Sequence, residues 1–167
     1  MKLVASVKVE GALLKGKAGK VVQQGLDRAM TEAVQFLTRE VKVRTPQGVY
    51  GAQGGLLSTI HGEVIGKGTP RIKGIVASNK PYAAVIEKGR RPGKGMPPPG
   101  VLLRWIEVKL GVDETEAKRL EFVIRRKIAQ KGFEGAHMFE RALDENFEKL
   151  RAIFRRHGLS ITRKLSQ

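Results

Sequence analysis

The chain has 167 residues, 41% of them hydrophobic and 29% charged, and 32 Lys+Arg against 16 Asp+Glu give a formal net charge of +16. This balance predicts one folded domain over 1–167 with a hydrophobic core, and it excludes wholesale disorder. The chain has no cysteine, which excludes disulfides and thiolate-bound metal, and no apolar run approaches the ~18 residues of a membrane span.

The first third of the chain changes from strand to helix periodicity. Residues 2–10 alternate between apolar and polar side chains, which predicts a half-buried strand. Residues 11–19 indicate a loop, and residues 20–43 repeat their apolar side chains with the period of a helix. Gly25 weakens that helix by roughly 1 kcal/mol. The apolar stripe consists of Val22, Leu26, Ala29, Ala33, Leu37 and Val41, with Met30 and Phe36 beside it.

The middle third is rich in glycine and proline. Residues 47–55 hold four glycines, which predicts a flexible loop. Residues 56–65 and 71–78 predict two antiparallel strands joined by a turn, and 81–87 predicts a strand or a helical turn. Residues 88–100, with three consecutive prolines, predict a long, exposed and flexible loop.

Helices are predicted for the rest of the chain. Residues 101–110 predict a short helix, and Asp113 is placed to cap a second helix that ends near Lys131. Its apolar face would hold Ala117, Leu120, Val123, Ile124 and Ile128. Residues 136–157 form the strongest amphipathic pattern, with Gly158 as its end and a basic tail over 159–167.

The order of these elements predicts an α+β fold. A small antiparallel or mixed sheet would pack against a long N-terminal helix and a long C-terminal helix. The two helices over 101–131 would form an extra short helical pair.

No residue pattern points to catalysis. Residues 11–18 fit GxxxxGK, but Ala18 stands where a magnesium-binding hydroxyl is required. His61, His137 and His157 lie far apart in the sequence, and no pair has the spacing of metal ligands on a helix. His157 would instead lie in the last turn of its helix, where the helix dipole favours a cation. We therefore expect no enzyme, with no catalytic residue, no cofactor and no metal.

Positive charge marks the candidate interaction residues. The segment around Arg90, Arg91 and Lys94 places cations among glycines, which suits contact with phosphates or with a partner protein, although an ordinary solvated loop has the same appearance. The same ambiguity holds for the basic C-terminal region. The full candidate set consists of Lys88, Arg90, Arg91, Lys94, Arg155 and Arg156, with Tyr50 and Tyr82.

A helix-turn-helix over 101–131 is an alternative, because Gly111 stands in the turn and a basic helix follows. That helix begins with Asp113, Glu114 and Glu116, and a recognition helix contacts DNA with its N-terminal residues. These carboxylates would face phosphates, which disfavours specific DNA recognition. A nucleic-acid-binding module with little sequence preference stays open.

Four segments resemble the siphophage tail-component family that includes tail-completion proteins of the lambda minor-tail-protein Z type. The first is a long early helix that ends in Val43-Arg44-Thr45-Pro46, and the second is Gly55-Leu56-Leu57-Ser58-Thr59-Ile60, similar to the family's TGxLxxSI. The third, Pro81 to Gly89, is similar to its YAxxvEfGt signature. The fourth is Lys127 to Gly132 followed by the helical region from His137.

The resemblance implies a non-enzymatic structural virion protein, a tail-completion or head–tail-joining subunit in the phage neck. Its partners would be copies of itself in a homo-oligomeric ring, with a hexamer favoured, and the neck, connector and tail-tube proteins. DNA passing through the ring would contact it without sequence specificity, and no membrane is involved. The expected location is the virion, and the host cytoplasm during assembly.

Overall fold

The computed structural model describes residues 1–8, 16–49 and 55–165. Within these ranges the chain forms seven helices and two small antiparallel sheets, so the predicted α+β class is confirmed. No helix of these ranges has the length and apolar character needed to cross a membrane. The elements are β1 (Lys2–Lys8), α1 (Gly16–Arg44), α2 (Gly55–Thr59), β2 (Ile60–Ile65), β3 (Arg71–Ser78), α3 (Ala83–Lys88), β4 (Gly89–Arg90), α4 (Leu103–Leu110), α5 (Glu114–Lys131), β5 (Phe133–Glu134), α6 (Met138–Asp144) and α7 (Phe147–Leu165).

The backbone divides into two compact units. Unit 1 comprises Met1–Arg44, Ile60–Asn79 and Met138–Gln167, and unit 2 comprises Thr45–Thr59 and Lys80–His137. Segments of both units alternate along the chain, so neither unit is one continuous stretch. The expectation of one domain over 1–167 stays a prediction, because it concerns whether both units unfold in a single transition.

Unit 1 holds a three-stranded sheet in the order β1-β3-β2, with each pair antiparallel. Leu3 lies opposite Val76 and Ala5 opposite Gly74, so the apolar face predicted for β1 continues the buried face of β3. α1 packs against β3 and β2, and its predicted stripe is buried at Ala29, Ala33, Leu37 and Val41. The predictions of β1, of α1 and of a hairpin over 56–65 and 71–78 are therefore confirmed in their main parts, although α1 begins at Gly16, inside the loop predicted over 11–19.

Two glycines let α1 approach this sheet closely. A Cβ atom built at Gly74 would lie 2.5 Å from a methyl carbon of Val34 and 2.7 Å from the sulfur of Met30. A Cβ at Gly62 would lie 2.5 Å from the other methyl carbon of Val34. Real side chains do not approach so closely, so α1 rests on strand backbone at these two positions.

The C-terminal helical region contains two helices instead of the single one predicted over 136–157. α6 and α7 are separated at Glu145 and Asn146. Asn146 is only 2% exposed, and its side-chain amide donates to the Ala142 carbonyl oxygen at 3.1 Å while its backbone N–H donates to Leu143 at 3.3 Å. Local side-chain hydrogen bonds of this kind compete with the regular helical pattern, which explains the break.

α7 also continues through Gly158 to Leu165, so the prediction that Gly158 ends the helix and begins a basic tail at 159 was wrong. The side chain of Ile161 occupies the space beside Gly25 of α1, where an added Cβ would collide with it. Packing against α1 outweighs the roughly 1 kcal/mol that a glycine costs inside a helix. Gly25 is therefore a contact point between two helices.

The strand predicted over 56–65 begins late, at Ile60, and its first residues belong to unit 2. Gly55–Thr59 forms the helical turn α2, in which the hydroxyl of Ser58 donates to Gly55 O at 3.1 Å and that of Thr59 to Leu56 O at 2.8 Å. These bonds close a turn where β-branched and apolar residues alone indicated a strand. Of the loop predicted over 47–55, residues 50–54 lie outside the described ranges.

The other helices of unit 2 agree with the sequence. For 81–87 the helical alternative is correct, as α3 shows. α4 ends at Gly111, which has φ 67°, and Asp113 caps α5 by accepting a hydrogen bond from the Glu116 N–H at 2.8 Å. Both ends were placed correctly because cap chemistry depends on neighbouring residues alone.

Two substitutions distinguish the continuous α7 from a helix that ends at Gly158. We expect Gly158→Ala to raise the free energy of unfolding by about 0.5–1 kcal/mol, since the position is helical and a Cβ there meets nothing within 4 Å. The matched change Gly25→Ala should give no gain, because Ile161 fills the space. Chemical denaturation of both variants checks this, and a destabilising Gly158→Ala would contradict the continuous helix.

Candidate functional site

The basic loop of unit 2 begins where three glycines allow backbones to touch. β4 and β5 pair through Gly89 with Glu134 and Arg90 with Phe133. A Cβ at Gly132 or Gly135 would strike the backbone of 87–92, and Gly89 is closed in the same way by residues 133–135. Two of the segments that carry the family resemblance, 81–89 and 127–132, therefore meet here.

The same loop is attached along α5. Gly93 N–H donates to Ala129 O at 2.8 Å, and the Arg125 guanidinium donates to Pro97 O at 2.7 Å. Glu121 accepts hydrogen bonds at 3.1 Å from the backbone N–H groups of Gly100 and Leu102. Its carboxylate thus caps α4, which lacks a side-chain cap of its own.

Glu121 is a residue that the periodicity assigned to the wrong environment. It is 6% exposed, whereas Val123, predicted on the buried face, is 61% exposed. A glutamate among apolar neighbours carried no signal by itself. The one hint in the sequence was that no nearby side chain accepts hydrogen bonds from the backbone N–H groups at the start of α4, so an acceptor from another segment was needed.

The candidate cations of unit 2 have different surroundings. Arg90 turns back on its own loop and donates to the Gly95 carbonyl oxygen, whereas Lys88, Arg91 and Lys94 are exposed. Tyr82 is 43% exposed at the N-terminal end of α3. Tyr50 lies outside the described residues. The flexibility predicted for 88–100 stays a prediction, but the loop is fastened at several points.

Arg155 and Arg156 belong to unit 1 and point from the exposed side of α7. Arg156 forms an ion pair with Glu32 of α1, and His157 Nε2 lies 2.8 Å from the other oxygen of that carboxylate. These hydrogen bonds, from His157 first and then Arg156, hold the pKa of Glu32 below its usual range. His157 is therefore an interhelical contact in mid-helix, and the expectation that it lies in the last turn was wrong.

Unit 1 also contains an apolar groove of about 450 Å³ that the sequence did not predict. β1 forms one wall, α6 and α7 form the other, and α1 with β3 forms the floor. Arg151 and Arg155 stand at the α7 rim. The apolar lining consists of Leu3, Val4, Ala5, Met30, Ala33, Val34, Leu37, Gly74, Val76, Leu143, Phe147, Leu150 and Phe154.

Several of the groove residues remain open to solvent although their neighbours are buried. Ala5 is exposed, and Phe147 is 56% exposed. A phenylalanine and an alanine in such positions leave apolar area in contact with water, which is unfavourable by roughly 25 cal/mol per Å². An open apolar groove of this kind is typical of a surface that a partner covers.

A polar network holds the α7 wall of this groove in position. Arg44 at the end of α1 donates to Glu40 Oε2 at 2.8 Å and, through Nε, to Glu145 Oε2 at 3.0 Å. The Asn146 amide also donates to Glu40 Oε2, at 3.3 Å. The hydrogen bond from Arg44 keeps the pKa of Glu40 below its usual range. The break between α6 and α7 is thereby tied to α1.

Among the described residues, no three His, Asp or Glu side chains are grouped so that they could hold a metal ion. His61 and Glu63 are exposed on β2, and His137 has a positive φ of 48° just before α6. The GxxxxGK pattern falls largely outside the described residues.

Comparison with protein-family models, with curated proteins and with solved structures found no match for this chain.

The Glu40 network makes stability depend on pH. We expect Glu40→Gln to lower the free energy of unfolding at pH 7 by about 1–2 kcal/mol, because it removes a charge-assisted bond at a largely buried junction. The folded carboxyl titrates below the unfolded one, so its contribution is complete above pH ~4.3 and is lost as the pH falls through the folded pKa. Thermal unfolding of both proteins between pH 7 and pH 3 should show the difference shrinking below pH ~4.3.

The exposed pair of Glu148 with Arg151 supplies the control. Glu148→Gln removes the same charge from unit 1 and should change stability little at any pH. Equal losses for Glu40→Gln and Glu148→Gln would contradict a specific role for the network.

Removal of the Glu121 carboxylate should release the loop. If its two hydrogen bonds contribute about 1.4 kcal/mol, Glu121→Ala raises the open population of 94–102, and hence cleavage by subtilisin, about tenfold. Glu114→Ala, an exposed change on the same helix, is the control. Mass spectrometry of the fragments identifies the cleavage site, and unchanged cleavage would show that Glu121 does not hold the loop.

Proposed function

We propose that this chain is a structural virion protein of a tailed phage, a tail-completion or head–tail-joining subunit that assembles with copies of itself. The open apolar groove of unit 1 is the observation that carries the proposal. The sequence resemblance is a second and separate support for it.

The groove favours a macromolecular partner over a small substrate. Its lining is almost wholly aliphatic and aromatic, and its charged groups are the rim guanidiniums of Arg151 and Arg155. Binding sites for small substrates normally contain several convergent polar groups that fix orientation. An apolar trough with a cationic rim instead fits an apolar segment that carries acidic groups.

The chain presents such a segment in unit 2. Val101 lies in the turn before α4, and Trp105 and Val108 follow on the helix; the three are 57%, 42% and 43% exposed. The start of the next helix carries Asp113, Glu114 and Glu116, which are all exposed. We assign the groove to a second copy of this chain, with the α4 stripe in the groove and these carboxylates near the arginines.

A contact of this kind joins two different surfaces of identical subunits. Such a heterologous interface closes into a ring when the rotation between subunits divides a full turn, and forms a filament otherwise. A ring agrees with the neck subunit expected from the resemblance. The number of subunits in the ring, and the contacts of the ring with connector and tail-tube proteins, are part of the same proposal.

The alternative, a helix-turn-helix module over 101–131, is less well supported. α4 and α5 do pack against each other around Gly111. However, Asp113 uses its carboxylate to cap α5, and Glu114 pairs with Lys118 at 2.6 Å. The first turn of α5 is therefore acidic where a recognition helix contacts bases. Base-specific footprinting by the purified protein would favour this alternative.

Because the chain lacks cysteine, directed disulfides test the interface cleanly. Ala5→Cys places a thiol in the groove of one copy, on the same sheet face as Gly74, and Trp105→Cys places one on the stripe of another. We expect a disulfide-linked dimer when the two variants are mixed and oxidised, and none from Ala5→Cys mixed with Phe122→Cys, whose thiol is on an exposed face of α5.

Native mass spectrometry of the unmodified protein tests whether the chain self-assembles, independently of which surface forms the interface. A closed homo-oligomer with the expected cross-link supports both parts of the proposal. A closed homo-oligomer without the cross-link keeps self-assembly but rejects the groove as its interface. A monomer at every concentration and salt condition contradicts self-assembly of the free protein.

A further inference from the structure

The outer side of α7 carries a cationic face that shares only Arg155 with the proposed groove interface. Six residues line an open depression along this side of the helix: Ala152, Arg155, Arg156, Leu159, Ser160 and Arg163. The opposite side of the helix carries Phe154, which lines the groove, and Ile161, which fills the space beside Gly25. The cations are therefore presented away from the core of unit 1.

The single carboxylate of α7, Glu148 in its first turn, pairs with Arg151, so the rest of the helix has none to balance this face. From Lys149 to Leu165 the sequence has six Lys+Arg and no Asp or Glu. Arg156 is held by Glu32 of α1, but Arg155 and Arg163 form no ion pair among the residues that the structure describes. Guanidiniums collected on one helical face without counter-charges repel one another, and an external polyanion relieves that repulsion.

We propose that this face, centred on Arg155 and Arg163, binds the phosphate backbone of duplex nucleic acid without reading its sequence. The proposal does not depend on self-assembly. Arginine is the side chain best matched to phosphate, because its planar guanidinium donates two parallel hydrogen bonds. Each cation on the face is an arginine.

The length of the face favours a polymer over a small anion. Eight residues of helix separate Arg155 from Arg163, which corresponds to roughly 12 Å of rise. A duplex carries one negative charge per about 1.7 Å of its axis, so this length faces about seven charges. An isolated phosphate ion would satisfy only one of the arginines.

The composition of the face disfavours both base reading and membrane insertion. Residues 149–165 contain no Asn or Gln that could pair with adenine, so base contacts of this face would be limited to arginine with guanine, and phosphate contacts position a protein without specifying sequence. Leu159, 64% exposed, is the one large apolar residue on the face. A membrane-surface helix needs a broad apolar side, which α7 uses within unit 1.

The loop around Arg91 and Lys94 is the competing surface. Its third cation, Arg90, is turned onto the Gly95 carbonyl oxygen, and the loop is fastened to α5. It therefore offers fewer available guanidiniums than α7. The two surfaces lie in different units, so paired substitutions can test each separately.

Fluorescence anisotropy with a labelled random-sequence duplex of about two helical turns, between 50 and 200 mM salt, tests the proposal. Each phosphate contact contributes about 0.9 to the slope of log K against log salt. We expect the double variant R155Q/R163Q to lower the slope by about 1.8 and the affinity at 0.1 M salt by about 60-fold. Unrelated duplex sequences should bind the unmodified protein equally.

Two matched variants remove the same charge elsewhere. K67Q/R71Q alters the exposed β2–β3 turn of unit 1, and R91Q/K94Q alters the loop of unit 2. Both should change the slope much less than R155Q/R163Q does. Circular dichroism confirms that each variant keeps its helices, so a loss of binding reports the surface.

Four outcomes would overturn the proposal. One is the absence of duplex binding at 50 mM salt, and another is an equal effect of all three double variants, which would reflect net charge alone. A larger effect of R91Q/K94Q would assign the contact to the loop. If R155Q/R163Q abolished binding to anionic phospholipid vesicles and left duplex binding unchanged, α7 would be assigned to a membrane surface.

Discussion

The close approach of α1 to its neighbours is the constraint on which the rest of unit 1 depends. A long helix can touch a sheet at backbone distance only where the strands lack side chains, and Gly62 and Gly74 provide those positions. On another side of α1, Gly25 admits Ile161 and so brings α7 alongside. Three residues with no side chain therefore set the spacing of helix, sheet and second helix. The core side chains then fill the space that this spacing leaves.

The same spacing explains why the groove stays open. α1 contacts the sheet and α7, but β1 and α7 stand apart over the α1 surface, and the residues between them are apolar. Polar groups at one end keep α7 from closing onto β1, since Asn146 and Arg44 tie the α6–α7 break to Glu40. A fully satisfied polar junction of this kind specifies one arrangement, because any shift would leave a buried donor or acceptor without a partner.

Unit 2 uses backbone contacts and remote caps in place of a large core. Its short β4–β5 pairing depends on glycines that let two chain segments meet, and Glu121 reaches from α5 to cap α4. Such an arrangement can present apolar side chains outward, as α4 does with Trp105, without weakening its own packing. The apolar stripe of α4 and the cationic face of α7 thus lie on separate helices.

The sequence by itself determined the features that depend on neighbouring residues. The periodicity of β1, α1 and β3, the Asp113 cap and the Gly111 end were predicted correctly, because hydrophobic pattern and capping act over a few residues. Tertiary structure decided whether Gly158 ends a helix, whether Glu121 is buried and where Arg90 points. It also created the groove, whose lining comes from five elements far apart in the chain. These outcomes depend on contacts between distant segments, and packing energies of that kind outweigh local preferences of about 1 kcal/mol.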